Sequence, residues 1–291
     1  MRERRNARAG RQTGRSPQYG GHGKKAASGK KTPPLRRSAQ EREIRPENQI
    51  EGRNPVKEAL LAGRPIRRLM VADKEQRGPI AEIIAMARER RIPIDEVSRA
   101  TLDFKSATGT HQGVIAIAAA KEYADLDAVL AAVGETGETP LLLICDGLQD
   151  PHNLGALLRT ADAAGAHAVV IPARRSVGLT ATVAKTSAGA IEHVPVCRVT
   201  NINQTVNYLK EQRLWVVGAD MNAEQDLWEA DLSGPLAIVV GGEDTGISRL
   251  VAENCDFLVR MPMQGAINSL NASVAGSIML YEALHQRLKR S

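Results

Sequence analysis

From residue 140 onward the apolar positions come in short unbroken runs rather than in alternation. Leu141–Cys145, Ala168–Ile171, Val194–Val199, Leu214–Gly218, Leu236–Val240 and Phe257–Val259 each read as a strand. Between them the spacing predicts helices over Leu154–Ala164, Thr182–Ser187, Asn203–Gln212, Ile247–Glu253 and Asn271–Leu288. A strand that is apolar throughout must be covered on both faces. With helices alternating between strands, that pattern predicts an α/β fold built on a parallel sheet. One strand is marked out: Leu236–Val240 runs into Gly241-Gly242 and then Glu243. Glycines at a strand's carboxyl end leave bare backbone where open α/β sheets bind ligands. About twenty residues later a proline-broken loop carries Ser269 and Asn271 into the last helix.

Residues 48–119 alternate on a smaller scale and predict a separate small α/β domain. Asn54 is placed to cap a helix with Pro55 at its first position and Gly63 at its end. Ile66–Ala72 reads as a strand, and Pro79–Arg90 as a helix with Ile80, Ile83, Ile84 and Ala87 on one face. Ile92–Ile94 reads as a short strand, Ser98 as a helix start and Gly113–Ala118 as a buried strand. Residues 120–139 read as a linker with a short helix, Leu126–Val133, ended by Gly134 and Gly137. The second domain is expected over 140–291.

Charge separates a third region. Residues 1–47 hold 14 Lys+Arg and 4 Asp+Glu, a net +10, so the remaining chain is net −4 against a total of +6. This basic tail has almost no large aliphatic residues and is expected to be disordered. It suits a polyanion such as RNA, or serves only as a solubilising arm. No apolar stretch follows it, so it is not a secretory signal, and no apolar run reaches membrane-spanning length. Three scattered cysteines, Cys145, Cys197 and Cys255, form no CxxC and fit a reducing cytoplasm. No metal-ligand spacing is present, so no metal is expected. Aromatic residues make up only 3% of the chain, which argues against a base-stacking platform.

The candidate chemistry begins after the strand 141–145, in Asp146-Gly147-Leu148-Gln149-Asp150-Pro151-His152-Asn153. This turn is unusually polar for a bend. Asn153 reads either as a helix cap or as a site residue. Arg159, six positions on, falls only roughly on the same side of the helix. No GxGxxG, GxxxxGK[ST], GxSxG or HExxH occurs, which excludes the Rossmann, phosphate-loop, α/β-hydrolase and zinc-protease readings.

Three segments then carry a resemblance: NLGALLRTADAAGA, IVVGGEDTGIS and MPMQGAINSLNASVAGSIMLYEAL. In order and spacing they resemble the three motifs of the SpoU (TrmH) family of RNA 2′-O-methyltransferases. IEGRNPVKEAL with GTHQGV resembles the substrate-binding domain, similar to ribosomal protein L30e, of the 23S rRNA guanosine branch called RlmB. The resemblance implies a deep trefoil knot at the C-terminus, a homodimer paired through the knotted domain, and S-adenosylmethionine as co-substrate. It implies that Gly241, Gly242, Met261 and Leu270 hold the cofactor. It implies Asn153, Arg159, Glu243, Ser269 and Asn271 as the polar catalytic set. Arg53, Asn54, His111 and Gln112 are the expected RNA contacts.

The expected substrate is 23S rRNA or a ribosomal precursor particle. The same chemistry on tRNA, and a non-catalytic RNA-binding factor, stay open. Arg159 is the family's proposed base. Deprotonating a guanidinium at pH 7 costs about 7 kcal/mol or more, so a clamp for phosphate and developing alkoxide is an equal alternative. Glu243 is expected to fix the loop that carries Asn153 and Arg159.

Overall fold

The computed structural model describes residues 48–73, 77–243, 245–266 and 269–290. The basic tail lies outside them. The N-terminal part is a four-stranded mixed sheet of β1 (Gln49–Glu51), β2 (Ile66–Ala72), β3 (Ile94–Val97) and β4 (Val114–Ala118), in the order β1-β4-β2-β3. Its helices are α1 (Arg53–Leu61), α2 (Pro79–Glu89) and α3 (Arg99–Lys105). One face packs Val56, Leu60, Ile80 and Ile83 of α1 and α2 against Leu69 and Val71 of β2. Ser98 caps α3, as the sequence suggested, by accepting from the Thr101 N–H.

Three local expectations are corrected. Gly52 (φ 98°), not Asn54, stands at the cap of α1, because the backbone enters that helix through a left-handed conformation. The expected strand 92–94 is shifted to 94–97. The chain leaves α2 through Arg91 at φ 56°, and Ile92 and Pro93 are spent on the turn. Gly134 does not end its helix: α4 (Leu126–Thr136) runs through it to Gly137, which takes the left-handed position.

The C-terminal part is a seven-stranded sheet of β5 (Leu141–Asp146), β6 (Ala168–Pro172), β7 (Val196–Val199), β8 (Trp215–Ala219), β9 (Gln225–Asp226), β10 (Leu236–Gly241) and β11 (Phe257–Arg260). The order is β7-β6-β5-β10-β8-β11-β9, and every pairing among them is parallel. Side chains alternate faces along each strand. Leu141, Leu143 and Cys145 therefore enter one core while Leu142 and Ile144 enter the other, and both cores are sealed. Each such fully buried aliphatic is worth roughly 1.5–3 kcal/mol. This is why the strand sequences are apolar without interruption.

Helices α5 (Pro151–Ala163), α6 (Ala181–Thr186) and α9 (Ala272–Arg290) contribute to the first core. Helices α7 (Ile202–Glu211) and α8 (Arg249–Asn254) contribute to the second, joined by Leu126 and Leu130 of α4. The expected linker is thus bound to the sheet through α4.

β5 and β10 are neighbours, yet the chain leaves β5 toward β6 and leaves β10, past β8, toward β11. The direction of winding reverses between their carboxyl ends. That is where the crevice of an open α/β sheet lies.

Candidate active site

Three connections meet at this crevice, those that follow β5, β10 and β11, through the described residues 147–150, 242–243, 245–248, 261–266 and 269–271. The first two touch through backbone. A Cβ on Gly242 would stand 2.9 Å from the Gly147 carbonyl oxygen. A Cβ on Gly241 would stand 1.8 Å from the carbonyl carbon of Gly246. Only residues without side chains permit this folding-back. It is closed by the Gly246 N–H donating to the Gly242 carbonyl at 3.0 Å, and by the Ser248 N–H donating to Asp146 Oδ2 at 2.8 Å.

The result is a cavity of about 460 Å³, lined by Gly241, Gly242, Glu243, Met261, Ser269 and Leu270 together with Asp220–Asn222, Thr245–Ile247 and the start of α9. All four residues expected to hold a cofactor lie on its wall. Its volume suits a small-molecule ligand. Ser269 and Glu243 are the lining members of the polar set. Asp220, Met221 and Asn222 escaped the sequence reading, although a loop at the carboxyl end of an apolar strand is a usable signal for them.

Asn153 is not a helix cap. That role belongs to Asp150, whose carboxylate accepts from the His152 N–H at 2.8 Å. Asn153 sits in the first turn of α5, buried, and its Nδ2 donates to Glu243 Oε1 at 2.7 Å. The backbone N–H groups of Glu243 itself, Gln149 and Asp150 lie near enough to favour the charged carboxylate. Burial would push its pKa up. The Asn153 amide and the backbone donors outweigh that and hold it below the ordinary glutamate range. Glu243 therefore ties the β5 loop to the β10 loop as a carboxylate.

Asn271 does cap a helix. Its Oδ1 accepts from the Ser273 N–H at 2.9 Å and the Ser273 hydroxyl at 2.6 Å, which starts α9 beside the cavity. Arg159 stands apart from the Asn153–Glu243 pair. It is exposed on α5, two turns along, and forms no ion pair among the described residues. The neighbouring Thr160 meets Ser277 of α9 at 2.9 Å.

In the N-terminal part, Arg53, Asn54, Arg99 and Gln112 line a cleft of about 470 Å³. Gln112 Oε1 accepts from the Arg53 N–H at 3.0 Å. His111 does not belong to it. It is 1% exposed, its Nδ1 accepts from the Gly113 N–H at 3.0 Å, and its Nε2 faces Asp103 Oδ1 at 2.8 Å. A buried ring with both nitrogens engaged is a strut of the loop rather than part of the cleft wall, where the sequence had placed it.

Residues 140–281 match the SpoU rRNA Methylase family, and residues 49–124 match the family of RNA 2′-O ribose methyltransferase substrate-binding domains. A Bacillus subtilis protein assigned to the TrmH family of tRNA/rRNA methyltransferases, YacO, is 50% identical over 238 residues, covering 82% of this chain and 95% of that one. The chain belongs to the SpoU/TrmH family of RNA methyltransferases. A Staphylococcus aureus member is 49% identical over 240 residues, 82% of this chain and 96% of its own. Among solved structures, the SpoU methyltransferase AviRb of Streptomyces viridochromogenes, in complex with AdoMet, aligns with a TM-score of 0.71 at 25% identity. It covers 82% of this chain and 90% of AviRb. An RNA 2′-O ribose methyltransferase aligns with a TM-score of 0.69 at 33% identity, covering 82% and 88%. Among the described residues no helix is long and apolar enough to cross a membrane.

Proposed function

We propose that this SpoU/TrmH enzyme transfers a methyl group from S-adenosylmethionine to the ribose 2′-OH of a guanosine in 23S rRNA. The carrying observation is the cavity at the β5–β10 switch point. Its floor is glycine backbone, its walls include Met261 and Leu270, and the hydrogen-bonded Asn153–Glu243 pair stands at its edge. Bare backbone and apolar walls suit a purine nucleoside pressed flat against them. When bound, S-adenosylmethionine supplies an electrophilic methyl group.

The chain's own residues then have to orient a ribose and take charge from its hydroxyl. Asn153, held by Glu243, and Ser269, which lines the same cavity as Glu243, fix the hydroxyl in this reading. Most of the acceleration comes from that alignment. Arg159, exposed on α5, holds an RNA phosphate, while the proton of the ribose hydroxyl leaves to water. Arg53, Asn54 and Gln112 contact the RNA at the second cleft. The proposal includes a homodimer paired through the C-terminal domain, the trefoil knot in that domain, and a cytoplasmic setting on free rRNA or a precursor particle.

The naming of YacO as a tRNA/rRNA methyltransferase keeps tRNA as the second reading. The deciding experiment is transfer of a tritiated methyl group to purified 23S rRNA, 16S rRNA and tRNA, followed by mapping of the modified ribose. Incorporation at one 23S guanosine supports the proposal, and incorporation only into tRNA replaces the substrate. Cofactor binding without incorporation into any of them leaves an RNA-binding factor.

A further inference from the structure

The two clefts are mechanically joined, through one lysine bonded to neutral acceptors and one buried cluster of charges. Helix α6 lies so close to α5 that a Cβ on Gly155 would stand 1.8 Å from Thr186 Oγ1. The residue before Thr186 is Lys185. It reaches the other way, out of the catalytic part, and donates to Thr108 Oγ1 at 3.1 Å and to the Thr110 carbonyl. Thr108 is itself pinned: its N–H and its hydroxyl both donate to Glu51, a carboxylate with no exposure, which also accepts from the Ala107 N–H and the Ser106 hydroxyl. Two residues past Thr110 the same loop presents Gln112 to the Arg53 cleft. One bonded path therefore runs from that cleft through Lys185 to the helix that carries Asn153 and Arg159.

A second fastening lies beyond α6. The side chain of Glu192 is 2% exposed and receives Arg64 Nη1 at 2.5 Å and Lys121 Nζ at 3.1 Å. Arg64 follows α1, and its Nη2 also donates to the Ala119 carbonyl at 2.8 Å. Gly189, at φ 101°, brings the backbone before Glu192 so near α1 that a Cβ there would stand 2.5 Å from Glu58 Cβ. Apolar faces can slide past one another with little change in energy. Buried paired charges cannot, because a shift leaves each charge desolvated without its partner.

We propose that Lys185 and Glu192 are positioning residues. They hold the N-terminal sheet on the α5–α6 pair in a single register, so that an RNA engaged at the Arg53–Gln112 cleft offers one ribose to the Asn153–Glu243 cavity. This rests on the functional reading above. Site selection is then set by a fixed spacing between two clefts as well as by contacts at the reacting nucleotide.

The test uses the full chain as wild type, Lys185→Met, Lys185→Arg and Glu192→Gln, with transcribed 23S rRNA and S-adenosylmethionine. It measures kcat, KM for RNA, cofactor Kd by calorimetry, and the map of methylated riboses. Lys185→Met and Glu192→Gln are expected to lower kcat tenfold or more and to spread methylation onto flanking riboses, with cofactor Kd within twofold of wild type. Lys185→Arg is expected to restore the single site. Because Glu192→Gln strands two cations and can unfold the chain, Lys185→Met decides. If it modifies the same single ribose at wild-type kcat, or loses cofactor binding in proportion to kcat, the clamp is refuted. A wild type that methylates no RNA refutes the underlying function instead, and the clamp's purpose with it.

Discussion

Asn153 and Glu243 lie 90 positions apart in sequence, and their side chains meet at 2.7 Å. The amide donates and the carboxylate accepts, and the nearby backbone N–H groups of Glu243, Gln149 and Asp150 favour its charged form. One acid thus fastens the loop after β5 to the strand end that floors the cavity. Removing it should disturb geometry more than binding. Glu243→Ala and Asn153→Ala are expected to lower kcat about 100-fold, the scale set by a misplacement of about 1 Å. Cofactor affinity should stay within severalfold of wild type. Single-turnover methyl transfer beside calorimetry separates the two, and a loss confined to cofactor Kd would contradict the assignment.

The same bond has a pH signature. Glu243 is held below the ordinary glutamate range, with donors outweighing the opposing effect of burial. Its folded pKa is lower than its unfolded one. Its contribution to stability is therefore complete above roughly pH 4.3–4.5 and is lost as pH falls through the lower folded value. NMR titration of the Glu243 carboxyl carbon and the Asn153 side-chain amide should show both moving together, with a midpoint below that of a free glutamate. A midpoint at or above it would mean the hydrogen bonds do not persist in solution.

Arg159 sits on an exposed face of α5, clear of the Asn153–Glu243 pair. If it clamps phosphate with a planar fork, a lysine is a poor replacement. Arg159→Lys is expected to reduce kcat/KM for RNA at least tenfold across pH 7–9 while leaving cofactor affinity unchanged. Near-wild-type turnover of this variant with saturating RNA would remove both the base and the clamp roles.

The parallel sheet was legible because strands buried on both faces cannot hide their composition: Leu141–Cys145 and Leu236–Val240 admit few other readings. The cavity was legible from Gly241-Gly242, since paired glycines at such a strand end mark a close backbone approach. What escaped the reading are positions where a polar residue is buried by its partners. Gln49 and Glu51 look like surface residues, yet Gln49 Nε2 donates to Glu51 Oε1 at 2.7 Å inside β1. His111 looks like a contact residue and is a buried strut. Lys185 and Glu192 look like ordinary helix and turn residues, because their partners in the N-terminal part are 75 to 128 positions away. No local pattern carries a pairing of that range.

Two glycines make opposite predictions. Gly241→Ala forces a methyl group into the backbone of Gly246 and Ile247, with contacts of 1.8 and 2.1 Å. Backbone cannot swing aside as a side-chain tip can, so a loss of about 1–3 kcal/mol or more is expected, together with failure to bind cofactor. Gly134 lies inside α4 with nothing within 4 Å of an added Cβ. Gly134→Ala should therefore gain about 0.5–1 kcal/mol through helix propensity alone. Denaturant melts of the two variants check both signs, and a stabilised Gly241→Ala would refute the close approach of the two loops.

The cysteines give a prediction that needs no substrate. Burial pushes Cys145 up to about 12, with Glu243 adding to the rise. Burial likewise raises Cys197 to about 11, with Asp125 adding. Cys255 is pushed to about 12, first by burial and then by Asp256, although it is only half-buried, and its Sγ donates to the Val251 carbonyl at 3.3 Å. Only the thiolate attacks a disulfide reagent. At pH 8 a thiol with a pKa near 12 is ionised to about one part in ten thousand. The native chain should accordingly show almost no reaction with an aromatic disulfide over minutes, and the denatured chain should release 3 equivalents. Cys255 is the informative position because access alone does not protect it. Rapid modification of one equivalent, mapped to Cys255, would mean that α8 opens readily from the sheet. The β10–β11 connection it belongs to would then be a moving wall of the cavity rather than a fixed one.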